Sequence, residues 1–160
     1  VQPVDPVLTR NFLEGMLRTF VFLLFIVGCL MLGIDMMPDD ALLAMFGWFS
    51  LWCLGLGAGL VVSVLGSLEE EIGKIVKLAS LPLLILSGVI FPLNHLPHSI
   101  LAYLMYNPIV HGLEILRYGF FNGYHVVHGT SLLYLWLFTF SLLALGFLLH
   151  VTFKEKLKAK

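Results

Sequence analysis

Four apolar runs, separated by short polar turns, dominate this 160-residue chain: Asn11 to Leu32, Ala41 to Leu65, Ile72 to Phe91 and Ser131 to Phe153. A bilayer core about 30 Å thick takes about 20 apolar residues as helix, so each run is a candidate span, the third shortened in its strictly apolar part and interrupted by Pro82. In lipid every backbone N–H and C=O must find its partner within the protein, which leaves helices as the spanning element for runs of this length. The expected fold is all-α, a polytopic membrane helix bundle forming one domain over residues 1–160. Composition agrees: 59% hydrophobic against 12% charged residues, with mean hydropathy +0.98, lies well outside ordinary soluble domains. The chain begins at Val1 with no initiator Met, charged n-region or signal-peptide cleavage site, and is expected to be part of something longer.

The stretch Phe91 to His125 does not fit a simple span. It is apolar enough to enter a bilayer, yet Pro92, Pro97, Pro108 and Gly112 break it, and it carries Glu114 and Arg117. Broken backbone at membrane depth is tolerated only where protein or a water-filled cavity satisfies the freed groups. Charge sorting decides its course. Placing Arg10, Arg18, the Lys74/Lys77 loop and the tail lysines Lys154, Lys156, Lys158 and Lys160 on one side puts eight of the nine cations there, which makes that side cytoplasmic. The turn Gly33 to Asp40, with three Asp and no cation, then lies outside. A full crossing by 92–125 would leave the four-lysine tail outside. The segment is therefore expected to be a re-entrant hairpin on the outer side, with half helices Pro97 to Tyr106 and Pro108 to Phe121, each starting with Pro where a missing N–H is harmless. Both ends of the chain face the cytoplasm on this reading. A single kinked span is the alternative.

Glu114 and Arg117 stand three apart, where opposite charges pair on one helix face. Such a pair serves either as a structural pin near the headgroup level or as part of a polar rim for an anionic substrate. The His-x-x-His spacings His95/His98 and His125/His128 raise a metal site, but zinc needs further ligands and a fixed outer shell, and both pairs flank Pro or Gly in expected interface loops. No metal site is expected. Tyr103, Tyr106, Tyr118, Tyr124, Trp48, Trp52 and Trp136 suit an interfacial belt, or stacking on the C–H faces of a sugar. Gly55, Gly57 and Gly59 suit close helix packing. The turn GSLEEEIGKIVK is a solvated inner loop or a docking site for a cytoplasmic partner. Cys29 and Cys53 lie in apolar runs as small hydrophobes. P-loop, G-x-S-x-G and H-E-x-x-H patterns are absent, so energy for any transport must come from another chain. No basic groove for nucleic acid is present.

Taken in order, PVDPVLTRNFLEG, two spans joined by an acidic outer turn, then SGVIFPLNHLP and YNPIVHGLEILRYGFFNGY resemble the permease subunit of ABC-2 type exporters. Within that class the likeness is closest to permeases that export capsular polysaccharide in Gram-negative bacteria, and more distant to O-antigen and teichoic-acid permeases. Ser87 to Tyr124 carries the specific part. The resemblance implies the C-terminal four spans of a six-span subunit in the bacterial inner membrane. A homodimer would form a conduit, with separate ATPase subunits beneath that bind ATP and Mg and drive a lipid-linked glycan outward, on to periplasmic or outer-membrane export proteins. It places Asp5 and Arg10 by the main coupling element, with Glu69, Glu70, Glu71 and Lys74 as a second ATPase contact. Tyr103, Tyr106, Asn107, His111, Glu114, Arg117 and Tyr118 become the expected outer rim. No catalytic residue and no cofactor of its own is expected. The rival of another class is an intramembrane metal-dependent enzyme using the His pairs with Glu114.

Overall fold

The computed structural model describes residues 4–90 and 93–153; Phe91 and Pro92 of the broken segment, the four tail lysines and the side chain of Glu70 lie outside the described residues. Among the described residues six α-helices follow one another: α1 (Val4–Met31), α2 (Ala41–Leu68), α3 (Glu70–Leu86), α4 (His98–Leu104), α5 (Pro108–Phe120) and α6 (Leu132–Thr152), with a 3-10 turn at Leu93–His95. Among the described residues no strand occurs.

Local chemistry sets the helix limits. The Asp40 side chain accepts from the Leu43 N–H at 3.1 Å and starts α2. Asn107 accepts from the Ile109 N–H at 3.0 Å and Pro108 opens α5, while Ser131 accepts from the Tyr134 N–H at 3.3 Å to start α6. Side-chain oxygens at these positions satisfy N–H groups that a helix start leaves open. Gly33 and Gly88, at φ +77° and +73°, stop the chain beyond α1 and α3.

Among the described residues three helices are long and apolar enough to cross a membrane: Asp5–Met31, Ala41–Leu68 and Leu132–Thr152. The expected third span, 72–91, differs. Its helix α3 runs 17 residues from Glu70 to Leu86 with Pro82 inside, about 26 Å, and then turns. The loop expected over Gly66 to Lys77 is helical as well: only Glu69, extended at φ −138°, separates α2 from α3, and Lys74 and Lys77 ride on the first turns of α3. Charge in that stretch marks a solvated end, which a helix tolerates, rather than a break.

Helix α2 is the centre of the bundle. Its buried residues Ala44, Gly47, Ser50, Leu54, Gly57, Leu60 and Val64 recur every three or four positions, one stripe along a single face. The upper part meets α5: a Cβ on Gly119 would lie 2.5 Å from the Ala44 backbone nitrogen, and one on Gly47 3.0 Å from that of Leu116. The lower part meets α6, where Gly57 abuts Leu142 and Leu143, and Gly146 abuts Leu60. Backbones this close gain van der Waals contact, the main helix-pairing force once lipid has replaced water. Gly57, in the glycine run, thus packs within this chain. Helix α1 lies along the other side of α2, Phe22 stacking on Trp48 with centroids 4.9 Å apart and Phe12 reaching Trp52.

The pairings fix direction. Ala44 faces Gly119 and Leu51 faces Gly112, so α5 runs antiparallel to α2; Phe46 faces Trp136 and Leu60 faces Gly146, so α6 runs parallel to it. Helix α1, with Asn11 by Gly59 and Phe22 by Trp48, is antiparallel. The start of α2, the end of α5 and the start of α6 consequently share one end of the bundle. Leu93, Leu101, Leu104, Val110 and Val127 form a small apolar core of their own that joins the 3-10 turn, α4, the start of α5 and the loop before α6.

Candidate functional site

Glu114, in the middle of α5, is fully buried. Burying a carboxylate is tolerable only if charge and lone pairs are met. Arg117 Nη1 donates to its Oε1 at 3.1 Å. The Tyr124 hydroxyl lies 3.0 and 3.1 Å from Oε1 and Oε2, and the Val127 backbone N–H donates to Oε2 at 3.1 Å. Arg117 then reaches from α5 to the end of α3, donating from Nη2 to the Gly88 carbonyl, with the Val89 carbonyl at 3.5 Å. Positive φ at Gly88 turns the chain there, and the Leu93 side chain fills the space a Cβ would need. One ion pair therefore ties three segments: the end of α3, helix α5 and the loop 121–131. Burial and the neighbouring Glu114 charge raise the Tyr124 phenol above its ordinary value near 10, which keeps it a donor.

A second tie lies one turn below. The Ser131 N–H donates to His111 Nδ1 at 3.0 Å, so Nδ1 carries no proton, and Nε2–H is left to donate to the Met105 carbonyl at 2.9 Å. Two backbone partners of opposite sense thus select one neutral tautomer. The Tyr134 hydroxyl donates to the Tyr106 carbonyl at 2.8 Å, and its ring lies 4.9 Å from the imidazole. Together they bolt the α4–α5 turn to the start of α6.

The seven residues expected at an outer rim therefore divide. Tyr103, Tyr106 and Tyr118 are exposed at 78, 75 and 52%. Glu114 and His111 point inward with their polar atoms engaged, Arg117 is largely buried, and Asn107 is half-buried as the α5 cap. Tyr124, Tyr134, Ser131 and the Gly88 carbonyl complete these ties without having been singled out as site residues. The one signal for them was indirect: a carboxylate on an apolar helix must have donors somewhere.

At the opposite end of the bundle, Asp5 and Arg10 lie exposed at the start of α1, near the junction of α2 with α3, where Glu69, Glu71 and Lys74 are also exposed. Lys74 Nζ pairs with Glu71 Oε1 at 2.9 Å. The expected coupling residues are thus brought to one end. His95, His98, His125 and His128 are all exposed, and among the described residues no group of three or more His, Cys, Asp or Glu side chains comes together as a metal site would require. One further ion pair, Glu14–Arg18 at 3.3 Å, stands exposed on α1, away from both ends.

A helical bundle with three helices of spanning length and apolarity among its described residues, tied at one end by buried polar contacts and charged at the other, fits a polytopic membrane protein. Residues 3–121 match the ABC-2 type transporter family, and the chain belongs to that family. It is 32% identical to the polysialic acid transport protein KpsM of Escherichia coli over 97% of this chain and 60% of that protein. It is 28% identical to the capsule polysaccharide export inner-membrane protein BexB of Haemophilus influenzae, over 97% of this chain and 58% of BexB. Against the capsule polysaccharide export inner-membrane protein CtrC of Neisseria meningitidis serogroup A the identity is 28% over 76% of the chain. The chain spans about 60% of the length of the first of these relatives.

Proposed function

We propose that this chain is part of the permease subunit of an ATP-driven exporter that carries lipid-linked capsular polysaccharide across the bacterial inner membrane. The observation that carries the reading is the family match together with likeness to capsule-export proteins over nearly the whole chain. Helices α1, α2, α3 with its following turn, and α6 would make four spans, with both ends of the chain cytoplasmic. The α4–α5 hairpin would be re-entrant: at about 10 and 20 Å its helices are too short to cross, and α5 holds both the end of α3 and the start of α6. Two copies would form the conduit, with Tyr103, Tyr106 and Tyr118 offering ring faces to the emerging glycan.

The chain itself would do no chemistry. A separate ATPase would bind ATP and Mg and dock at the end bearing Asp5, Arg10, Glu69, Glu70, Glu71 and Lys74, and export proteins beyond the inner membrane would take the glycan on. Co-purification of the full-length subunit should bring a P-loop ATPase with it, and deletion should trap capsule inside cells. If no ATPase copurifies and capsule is unaffected, the reading fails, and metal analysis of the His pairs follows. Reversing the charges of Glu70 and Glu71 should uncouple hydrolysis from export while the protein still inserts; normal export with those reversals would remove this contact from the scheme.

A further inference from the structure

His111 is 3% exposed, and its two ring nitrogens are spent on two different segments. Nδ1 accepts from the Ser131 N–H at the start of α6, while Nε2–H donates to the Met105 carbonyl just after α4. Ser131 in turn caps α6 by accepting from the Tyr134 N–H, and the Tyr134 hydroxyl returns to the Tyr106 carbonyl. The ring is thus one link in a closed circuit that runs from the α4–α5 turn through α5 to α6 and back. That link differs from the others in kind. A proton and the Ser131 N–H compete for the same Nδ1 lone pair, because an imidazolium carries a donor on both nitrogens. Nε2–H would keep Met105, but Nδ1–H would face the Ser131 N–H, donor against donor.

The surroundings offer little to hold a cation there. Helix α2, on which α5 packs at Gly112 and Gly119, has no Asp, Glu, Lys, Arg or His from Ala41 to Leu68, and its Cys53 is neutral near pH 7. On α6 the titratable groups are Tyr134, whose ring lies 4.9 Å from the imidazole, and His150 near the other end of that helix. On α5 itself Glu114 is matched by Arg117 and Tyr124, and Tyr118 is exposed. His98 and Tyr103 on α4, with His95, His125 and His128 in the flanking loops, are exposed. Desolvation by burial holds the imidazole of His111 below its ordinary value near 6.5, against the pull of the Met105 carbonyl.

We propose that His111 is a proton-operated bolt: uptake of one proton at Nδ1 expels the Ser131 N–H and frees the start of α6 from the α4–α5 turn. Gly129, at φ +98°, supplies a pivot beside Ser131, while the Val127 N–H stays on Glu114, so the movement is confined to residues 128–131 and the first turn of α6. The folded protein favours the neutral ring. The bolt is therefore whole above the ordinary imidazole value and is lost as pH falls below it. Which compartment it reads rests on the exporter topology proposed above, under which the bolt faces outward. Acid outside would then loosen α6 from the turn that carries Tyr106, beside the proposed exit.

The test uses the full-length subunit in lipid nanodiscs, otherwise free of cysteine, with spin labels on cysteines placed at Ile100 of α4 and Leu133 of α6, both exposed. Pulsed electron paramagnetic resonance should give one narrow distance at about pH 7.5 and, at about pH 5, a second and longer population that disappears when neutral pH is restored. In His111→Asn, whose Oδ1 can take the Ser131 N–H without titrating, the one distance should persist at both values. Replacing His95, His98, His125 and His128 by Gln should leave the acid population in place, rising with the pH dependence of a single proton. No second population in the otherwise unaltered protein, or its persistence in His111→Asn, would overturn the proposal. So would its loss in the four-Gln variant, or a slope there of two protons or more, a result that needs no change at His111. The distance requires neither ATPase nor cargo. A pH-dependent distance in a subunit that binds no ATPase sinks the exporter and keeps the bolt; an invariant distance in one that binds its ATPase and exports sinks the bolt alone.

Discussion

Glu114–Arg117 on α5 and Glu14–Arg18 on α1 are the same two residue types at helical spacing, 3.1 and 3.3 Å apart, in opposite settings. The first pair is 0 and 16% exposed, and every donor and acceptor around it belongs to another segment of the chain. The second is more than half exposed and its paired atoms belong to its own helix. A buried pair without those extra partners would be a liability, since desolvating two charges outweighs their attraction. Supplied with them, it fixes where α3, α5 and the 121–131 loop meet. The exposed pair fixes nothing of the kind, and an ion pair of that sort adds little to stability. Buried and saturated charge here holds several segments together, whereas the exposed pair stays within one helix.

Substitutions can break this contrast at graded points. Glu114→Ala should be the most damaging, about 3–5 kcal/mol, because it leaves Arg117 buried without its anion; thermal unfolding in detergent and folded yield report it, and a wild-type melting temperature would refute the latch. Gly119→Ala forces a methyl onto the Ala44 backbone and should cost about 1–3 kcal/mol, read by the same unfolding assay. Tyr124→Phe removes one hydroxyl donor and should cost about 1–2 kcal/mol. Because the folded-state pKa of Tyr124 is raised, its contribution is complete below the ordinary tyrosine value near 10 and is lost only as pH rises through the folded value. The Tyr124→Phe difference should therefore stay constant from pH 7 to 9, and a decline within that window would contradict the hydrogen-bond assignment. Arg18→Gln should leave unfolding within about 0.5 kcal/mol of wild type, in contrast to Glu114→Ala. Smallest on stability, Tyr106→Ala and Tyr118→Ala should melt like wild type yet export less glycan; equal loss of protein and export would assign the tyrosines to folding.

Much of the helical layout is legible in the chain because apolar length and proline position are local signals. Runs at 11–32, 41–65 and 131–153 became helices ending within a few residues of those limits except at the start of α1, and Pro97 and Pro108 stand at the starts of α4 and α5. The stretch 66–77 misled because charge signals solvent, and solvent is compatible with helix. For the site, helical spacing alone brought Glu114 to Arg117. Their remaining partners lie ten, thirteen and twenty-nine positions from the residues they bind, beyond any periodicity. Whether Glu114 lines a rim or fills the interior depends on which face of α5 meets α2, and that is settled by where Gly112 and Gly119 let the backbones touch.

The sequence by itself determined that this chain makes apolar helices of spanning length, that its polar groups gather between the third run and the last, and that it carries no ATP-binding P-loop, since hydrophobicity, proline and short motifs act within a turn or two. Only the tertiary structure decided which of two Glu–Arg pairs is buried among other segments and which is exposed on one helix. Burial is a property of the whole packing: it requires α3, α5 and a loop to arrive together around one carboxylate, and no single segment encodes that meeting.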